Sequence, residues 1–176
     1  VRSACGGAGR WGRCRGVWGA KLEGANVRLV RAGGVAPRWS PDGARIAYSL
    51  DPTEGSRVIN ADGTGDHDVS SAVRGGWYSQ APAWTPDGQR IVFMARDTQV
   101  GHTNDAEIFV IDANARSSSA ATQITFLGGH NRFPTFSPEG TRAAFGHGDG
   151  SWSTVNQVRV VNLDGSNVRT IYTKGS

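Results

Sequence analysis

Apolar residues in this chain come in short runs, never in long ones. Ile46-Ala47-Tyr48, Ile91-Val92-Phe93-Met94-Ala95 and Ile108-Phe109-Val110-Ile111 each have the length of a strand, and Gly, Pro, Asn or Asp stand nearby. No window sustains a 3.6-residue apolar period, so the pattern predicts strands and excludes a helical solenoid. Continuous runs, rather than strict alternation of apolar and polar positions, predict strands buried on both faces. Stacked sheets produce such burial, because an inner sheet has a neighbour on each side.

The runs recur in register with a motif. Pro37-Arg-Trp-Ser-Pro-Asp-Gly-Ala-Arg-Ile-Ala-Tyr48 is followed by Pro82-Ala-Trp-Thr-Pro-Asp-Gly-Gln-Arg-Ile-Val-Phe93 and Pro134-Thr-Phe-Ser-Pro-Glu-Gly-Thr-Arg-Ala-Ala-Phe145, with starts 45 and 52 residues apart. Self-similarity at this period marks a repeat architecture. The centre of each copy has the residue order of a type I turn: Ser or Thr first, Pro second with φ near −65°, Gly fourth. One unit therefore reads as strand A ending at Trp39, a tight turn, and strand B from Arg45 to Leu50. Val58-Ile-Asn-Ala-Asp-Gly63, Ile108 to Asn114 and Val158 to Gly165 each supply a strand C running into a turn. Strand D follows at 67–70, 121–125 and 168–172. Four short antiparallel strands per repeat of this length are the arithmetic of a propeller blade. The predicted fold class is all-β: a β-propeller of four-stranded antiparallel blades.

These two motifs resemble the Pro-Asp-type, WD-like repeat of the TolB family over roughly residues 17–172. The copies depart from it at Phe136, Glu139 and Ala143, and in the turn Asp112-Ala-Asn114. The resemblance implies a propeller that docks a peptidoglycan-associated lipoprotein in an envelope complex, and a periplasmic or extracellular location. It also implies an alternative, the accessory gating propeller of a prolyl-oligopeptidase or tricorn-type serine peptidase. In that reading the nucleophile sits on another domain. A sugar-binding or lyase-type propeller is a third reading, and would need His and acidic residues converging on the channel.

Leu22-Glu-Gly-Ala-Asn-Val-Arg28 matches Leu163-Asp-Gly-Ser-Asn-Val-Arg169 at five of seven positions. Residues 17–30 therefore read as strands C and D of a half blade, with full blades at about 31–73, 74–126 and 127–174. A closed propeller needs about 4–8 blades, so the expected ring is partial or open, and its uncovered end faces invite self-association. Residues 1–16 read as a Gly/Arg-rich leader with Cys5 and Cys14.

Charge sharpens this division. The formal charge is +4, but residues 1–21 hold Arg2, Arg10, Arg13, Arg15 and Lys21 and no acid, leaving 14 basic against 15 acidic side chains elsewhere. The basicity belongs to the leader, and the near-neutral repeats argue against a nucleic-acid partner. No apolar run is long enough to span a membrane. The first residues lack the apolar segment of a secretory signal; the chain does not begin with Met, so an upstream signal stays open.

Candidate chemistry is sparse. There is no G-x-S-x-G, no H-E-x-x-H and no phosphate-binding glycine loop, so no catalytic residue, metal or cofactor is expected. His67, His102, His130 and His147 read as dispersed loop or turn residues. Asp62-Gly-Thr-Gly-Asp66-His67-Asp68 is the densest acidic segment; its spacing fails an EF-hand and reads as a C–D turn with solvated carboxylates. The repeating Trp39 and Trp84 read as packing residues. Function is expected on the D–A and B–C connections, which share one end of the blades. The candidate partner-binding residues are Trp77, Tyr78, Gln80, His130, Asn131 and Arg132, an aromatic and Arg content common in interface anchors. The other reading, ordinary loop residues fixing the blade entrance, stands beside it. The functional expectation is a non-catalytic module that binds a protein or peptide.

Overall fold

A computed structural model describes residues 16–21, 23–50, 55–70, 80–96, 105–116, 120–148 and 155–175. Trp77, Tyr78, His102 and the two cysteines lie outside the described residues. Fourteen strands and no α-helix occur among the described residues. β1 (Gly16–Gly19) pairs with β2 (Arg28–Ala32) in a two-stranded sheet. β3 (Gly34–Trp39), β4 (Arg45–Leu50), β5 (Ser56–Asn60) and β6 (His67–Asp68) form a four-stranded sheet in sequence order. The next unit is β7 (Gln80–Trp84), β8 (Arg90–Arg96), β9 (Ala106–Asp112) and β10 (Thr122–Gln123), and the third is β11 (His130–Phe136), β12 (Arg142–Gly148), β13 (Gln157–Asn162) and β14 (Arg169–Thr173). One parallel bridge, His130 opposite Ala106, links these two units into a continuous path.

All pairing within each unit is antiparallel. The predicted strand B at 45–50 matches β4. The observed β6 and β10 are two residues each, shorter than the predicted strands D. The turns form as their residues dictate: the Gly43, Gly88 and Gly140 N–H groups donate to the Ser40, Thr85 and Ser137 carbonyls at 2.9, 2.9 and 2.8 Å, with φ of 70°, 68° and 71° at the glycines.

Strand periodicity distributes the core. On β8, Ile91, Phe93 and Ala95 join Ala47, Val58 and Trp84 between the first two units. Val92 and Met94 turn the other way, to Ile108, Ala143 and Phe145 between the second and third. Phe93 stacks on Phe109 with ring centroids 5.9 Å apart. On β4, Ala47 faces the second unit, while Ile46, Tyr48 and Leu50 meet Val17 and Val30 of the β1–β2 pair. This is the two-sided burial that the continuous apolar runs predicted, with sheets stacked face to face as blades. Each fully buried Phe or Ile contributes roughly 1.5–3 kcal/mol.

One repeated device was not foreseen. Ala36, Ala81 and Phe133 have φ of 50°, 54° and 52°, and each precedes the proline of its motif. The A–B register shifts there in every unit, between Val35 and Arg38, Gln80 and Ala83, and Arg132 and Thr135. Proline cannot donate to a ladder, so within a sheet it belongs at an edge or a bulge. β3 packs on β7 and β7 on β11, which places these bulged A strands along the inside of the arc.

Candidate functional site: the D–A end of the blades

Strand pairing sets the D–A and B–C connections at one end. Gln80 stands opposite Met94, Arg96 opposite Ala106, and His130 opposite Gly148. Between the second and third units this end is held by a polar network. Gly128 and Gly129 are consecutive left-handed residues, with φ of 66° and 64°, a geometry that aims successive N–H groups at an anion. The anions are the chain's own. Glu107 Oε1 accepts from the Leu127 and Gly128 N–H groups, both at 2.8 Å. Asp105 Oδ1 accepts from Gly129 N–H at 2.8 Å. Glu107 Oε2 accepts from the Thr125 hydroxyl and from Asn131 Nδ2, the latter at 3.0 Å. Burial pushes the Glu107 carboxyl up; the Thr125, Gly128 and Leu127 donors oppose that shift without cancelling it.

Asn131 carries the network into the third unit. Its Nδ2 also donates to the Ala106 carbonyl at 2.8 Å, and its Oδ1 lies 2.9 Å from His147 Nδ1. With Nδ2 identified as the donor, Oδ1 accepts and the His147 proton sits on Nδ1. Four of the expected site residues, His130, Asn131, Arg132 and Gln80, are thus strand residues, not loop residues. His130, Asn131 and Arg132 open β11, and pairing begins directly after the glycine link. His130 and Asn131 are buried and Arg132 is half-buried. His67, His130 and His147 lie in strands, which corrects their reading as loop or turn histidines. Gln80 opens β7. Glu107 and Thr125 were missed; an isolated Glu at the start of an apolar strand C was their sequence signal.

The exposed side chains at this link are apolar. Phe126 is 72% exposed, and Phe133, on its bulge, is 68% exposed. The acidic segment after β5 is also resolved. Asp62 accepts from Thr64 N–H at 2.8 Å. Asp66 is not a solvated turn residue: its two oxygens meet Arg31 Nε at 3.0 Å, Arg57 Nε at 2.9 Å and the Tyr48 hydroxyl at 2.8 Å. Burial pushes the Asp66 carboxyl up, but these partners outweigh it and the net shift is downward. Burial and the Asp66 contact push Tyr48 up to about 12. Among the described residues, no three His, Cys, Asp or Glu side chains converge as a metal set.

The opposite end carries a clasp between blades. Arg45 reaches from the first unit to the second: its Nη2 donates to the Gly88 carbonyl at 2.8 Å and its Nη1 to Asn114 Oδ1 at 3.0 Å. Its guanidinium lies 4.9 Å from the Trp84 ring centroid, and Trp84 Nε1 donates to the Arg38 carbonyl at 3.0 Å. The equivalent Arg90 lines an open cavity of about 390 Å³ with Gly140, Thr141, Asn162, Leu163 and Asp164. Arg142, the third equivalent, folds back on Glu139 of its own turn at 2.6 Å.

Stacked four-stranded antiparallel blades, with A strands inside and connections gathered at one end, define a partial, open β-propeller. The TolB beta propeller domain model matches residues 20–176, and the chain belongs to that family. No curated protein matches it. Among solved structures, a protein from Agrobacterium tumefaciens assigned as TolB superposes with a TM-score of 0.66 at 22% identity, covering 83% of this chain and 52% of that one. Oligogalacturonate lyase from Vibrio parahaemolyticus gives 0.68 at 14% identity, covering 90% and 46%. The β-propeller domain of the Trilobed protease from Pyrococcus furiosus gives 0.55 at 16%, covering 80% and 43%. The chain spans about half the length of these structures.

Proposed function

We propose that this chain is a non-catalytic, protein-binding propeller module of the bacterial envelope, and that its partner docks on the D–A end of the blades. The observation that supports this reading most is the pairing of a rigid frame with exposed aromatics. The carboxylates of Glu107 and Asp105 occupy the backbone donors of the link, while Phe126 and Phe133 stay exposed. Phe133 sits on the bulge that Ala36 and Ala81 occupy in the other units, and only here does that position carry a large aromatic side chain. Arg132 stands beside it, and Trp77, Tyr78 and Gln80 belong to the preceding D–A segment. In the proposed site the exposed aromatics and Arg132 meet the partner, whereas His130 and Asn131 hold the frame.

The partner class implied by the family is a peptidoglycan-associated lipoprotein. The test is calorimetric titration of its soluble domain with this chain and with Trp77→Ala, Arg132→Ala and Phe133→Ala. A tenfold or greater loss of affinity in at least two variants, with unchanged circular dichroism, supports the site. Unchanged affinity in all three refutes it.

A further inference from the structure

We propose that the cavity between the turn ends of the second and third blades binds an arginine side chain of a second protein partner, received by the Gly140 carbonyl and the Asp164 carboxylate.

The template is the junction between the first two blades. There the Arg45 guanidinium donates to the Gly88 carbonyl at 2.8 Å and to Asn114 Oδ1 at 3.0 Å. The next junction is built on the same frame. A Cβ on Gly88 would lie 3.6 Å from Pro41 Cδ, and one on Gly140 would lie 3.1 Å from Pro86 Cδ. Ala113 N–H donates to the Gln89 carbonyl at 2.9 Å, and Leu163 N–H to that of Thr141 at 3.2 Å. Gly140 and Asp164 therefore hold the places of Gly88 and Asn114. Yet Arg90, the counterpart of Arg45, lines an open cavity of about 390 Å³ with them, and among the described residues no hydrogen bond joins it to either. Phe136 supplies part of the reason. It stands where the second blade has Trp84, the ring that lies 4.9 Å from Arg45 and whose N–H reaches the Arg38 carbonyl. Phe has no such donor.

The chemistry of this cavity selects a cation. Asp164 Oδ1 accepts from the Ser166 hydroxyl at 2.6 Å and from its N–H at 2.9 Å. Those bonds hold the carboxyl below its ordinary value and leave Oδ2 for a ligand. Asp87 lies in the turn before Arg90, and Asp112 stands opposite Arg90 in the ladder. Glu139 is already paired with Arg142 at 2.6 Å. Asp87, Asp112 and Asp164 thus outnumber the one remaining guanidinium, which disfavours an anion. A planar guanidinium donates to a carbonyl and a carboxylate at once, whereas an ammonium is a compact point charge. Arg45 makes this fit against the neutral amide of Asn114; at the second junction the acceptor is charged. The cavity lies at the turn end, away from the D–A connections, so its occupant is a different partner from the one proposed above.

The test follows amide chemical shifts of the full chain as Nα-acetyl-arginine amide is added, a probe with the side chain and no carboxylate. Nα-acetyl-citrulline amide is the uncharged isostere, and ionic strength is held constant. The expected result is saturable change at the Gly140, Thr141, Leu163 and Asp164 amides, with a Kd on the order of 1–10 mM, and none with the citrulline probe. Arg90→Ala removes a like charge from the cavity wall and should tighten binding about threefold. Asp164→Asn, which installs the amide that Asn114 already carries, should weaken it about fivefold. No saturable change at these amides in either the parent chain or Arg90→Ala overturns the proposal. So does an equal response to both probes, or a response to acetate that Arg90→Ala abolishes, which would make the cavity an anion site.

Discussion

Replacing Arg45 by Ala removes a cation that joins the first two blades at their turn end. The loss has three parts. The guanidinium lies 4.9 Å from the centroid of a largely buried Trp84 ring, a contact worth about 1 kcal/mol. Its hydrogen bonds to the Gly88 carbonyl and Asn114 contribute about 0.5 kcal/mol each, once solvent screening at this half-exposed position is allowed for. The expected destabilisation is therefore about 2 kcal/mol, or roughly 4–8 °C in Tm for a chain of this size. Urea denaturation followed by circular dichroism measures it. The internal control is Arg142→Ala. That arginine has the same place in its motif but bonds only to Glu139 of its own turn, an exposed pair expected to contribute under about 0.5 kcal/mol. A double-mutant cycle of Arg45→Ala with Trp84→Leu should return a coupling of about 1 kcal/mol. Equal losses at Arg45 and Arg142, or no coupling, would refute the clasp.

Other outcomes follow from the same packing. Gly34→Ala should cost about 1–3 kcal/mol, because its Cβ would lie 2.6 Å from Val17 and 2.9 Å from Tyr48; a neutral result in thermal melts would mean that β1–β2 does not pack on the first blade. Glu107→Ala leaves the Leu127 and Gly128 N–H groups and the Thr125 hydroxyl without their acceptor, and removes one of the acceptors of Asn131 Nδ2, an expected loss of about 2–4 kcal/mol, read by denaturant titration. The folded-state Glu107 carboxyl lies above its ordinary value, so its contribution to stability is fullest below about pH 4.3 and declines as pH rises through the folded value. Asp66 is lowered and acts in the opposite direction. Its contribution is present above about pH 3.9 and is lost as pH falls through the depressed value, so Asp66→Asn should flatten the acid side of the stability profile.

The blade was legible because its signals are local. Ser40-Pro41-Asp42-Gly43 closes a turn with its own atoms, as Ser40 Oγ accepts from Arg45 N–H at 2.9 Å, and the following run is apolar on both faces. The match between the segments at Leu22 and Leu163 likewise predicted the pairing of β1 with β2. The bulges were less legible. Proline in strand A hinted at a break in the ladder, but not at the residue before it that turns left-handed. The clasp was visible only as a periodic arginine; its partners stand 43 and 69 residues away. At the D–A end, Gly128-Gly129 form the link, and the strand starts on the next residue. Burial of His130 and Asn131 depends on Ala106 and Glu107, which no local pattern connects to them.

The claim that a partner docks on the D–A end is tested most directly by mapping amide chemical-shift changes while the soluble domain of a peptidoglycan-associated lipoprotein is added. The account predicts changes clustered at the D–A and B–C connections and on the first residues of β7 and β11, with the turns at Gly43, Gly88 and Gly140 unmoved. Changes centred on those turns, or none at saturating partner, would contradict it.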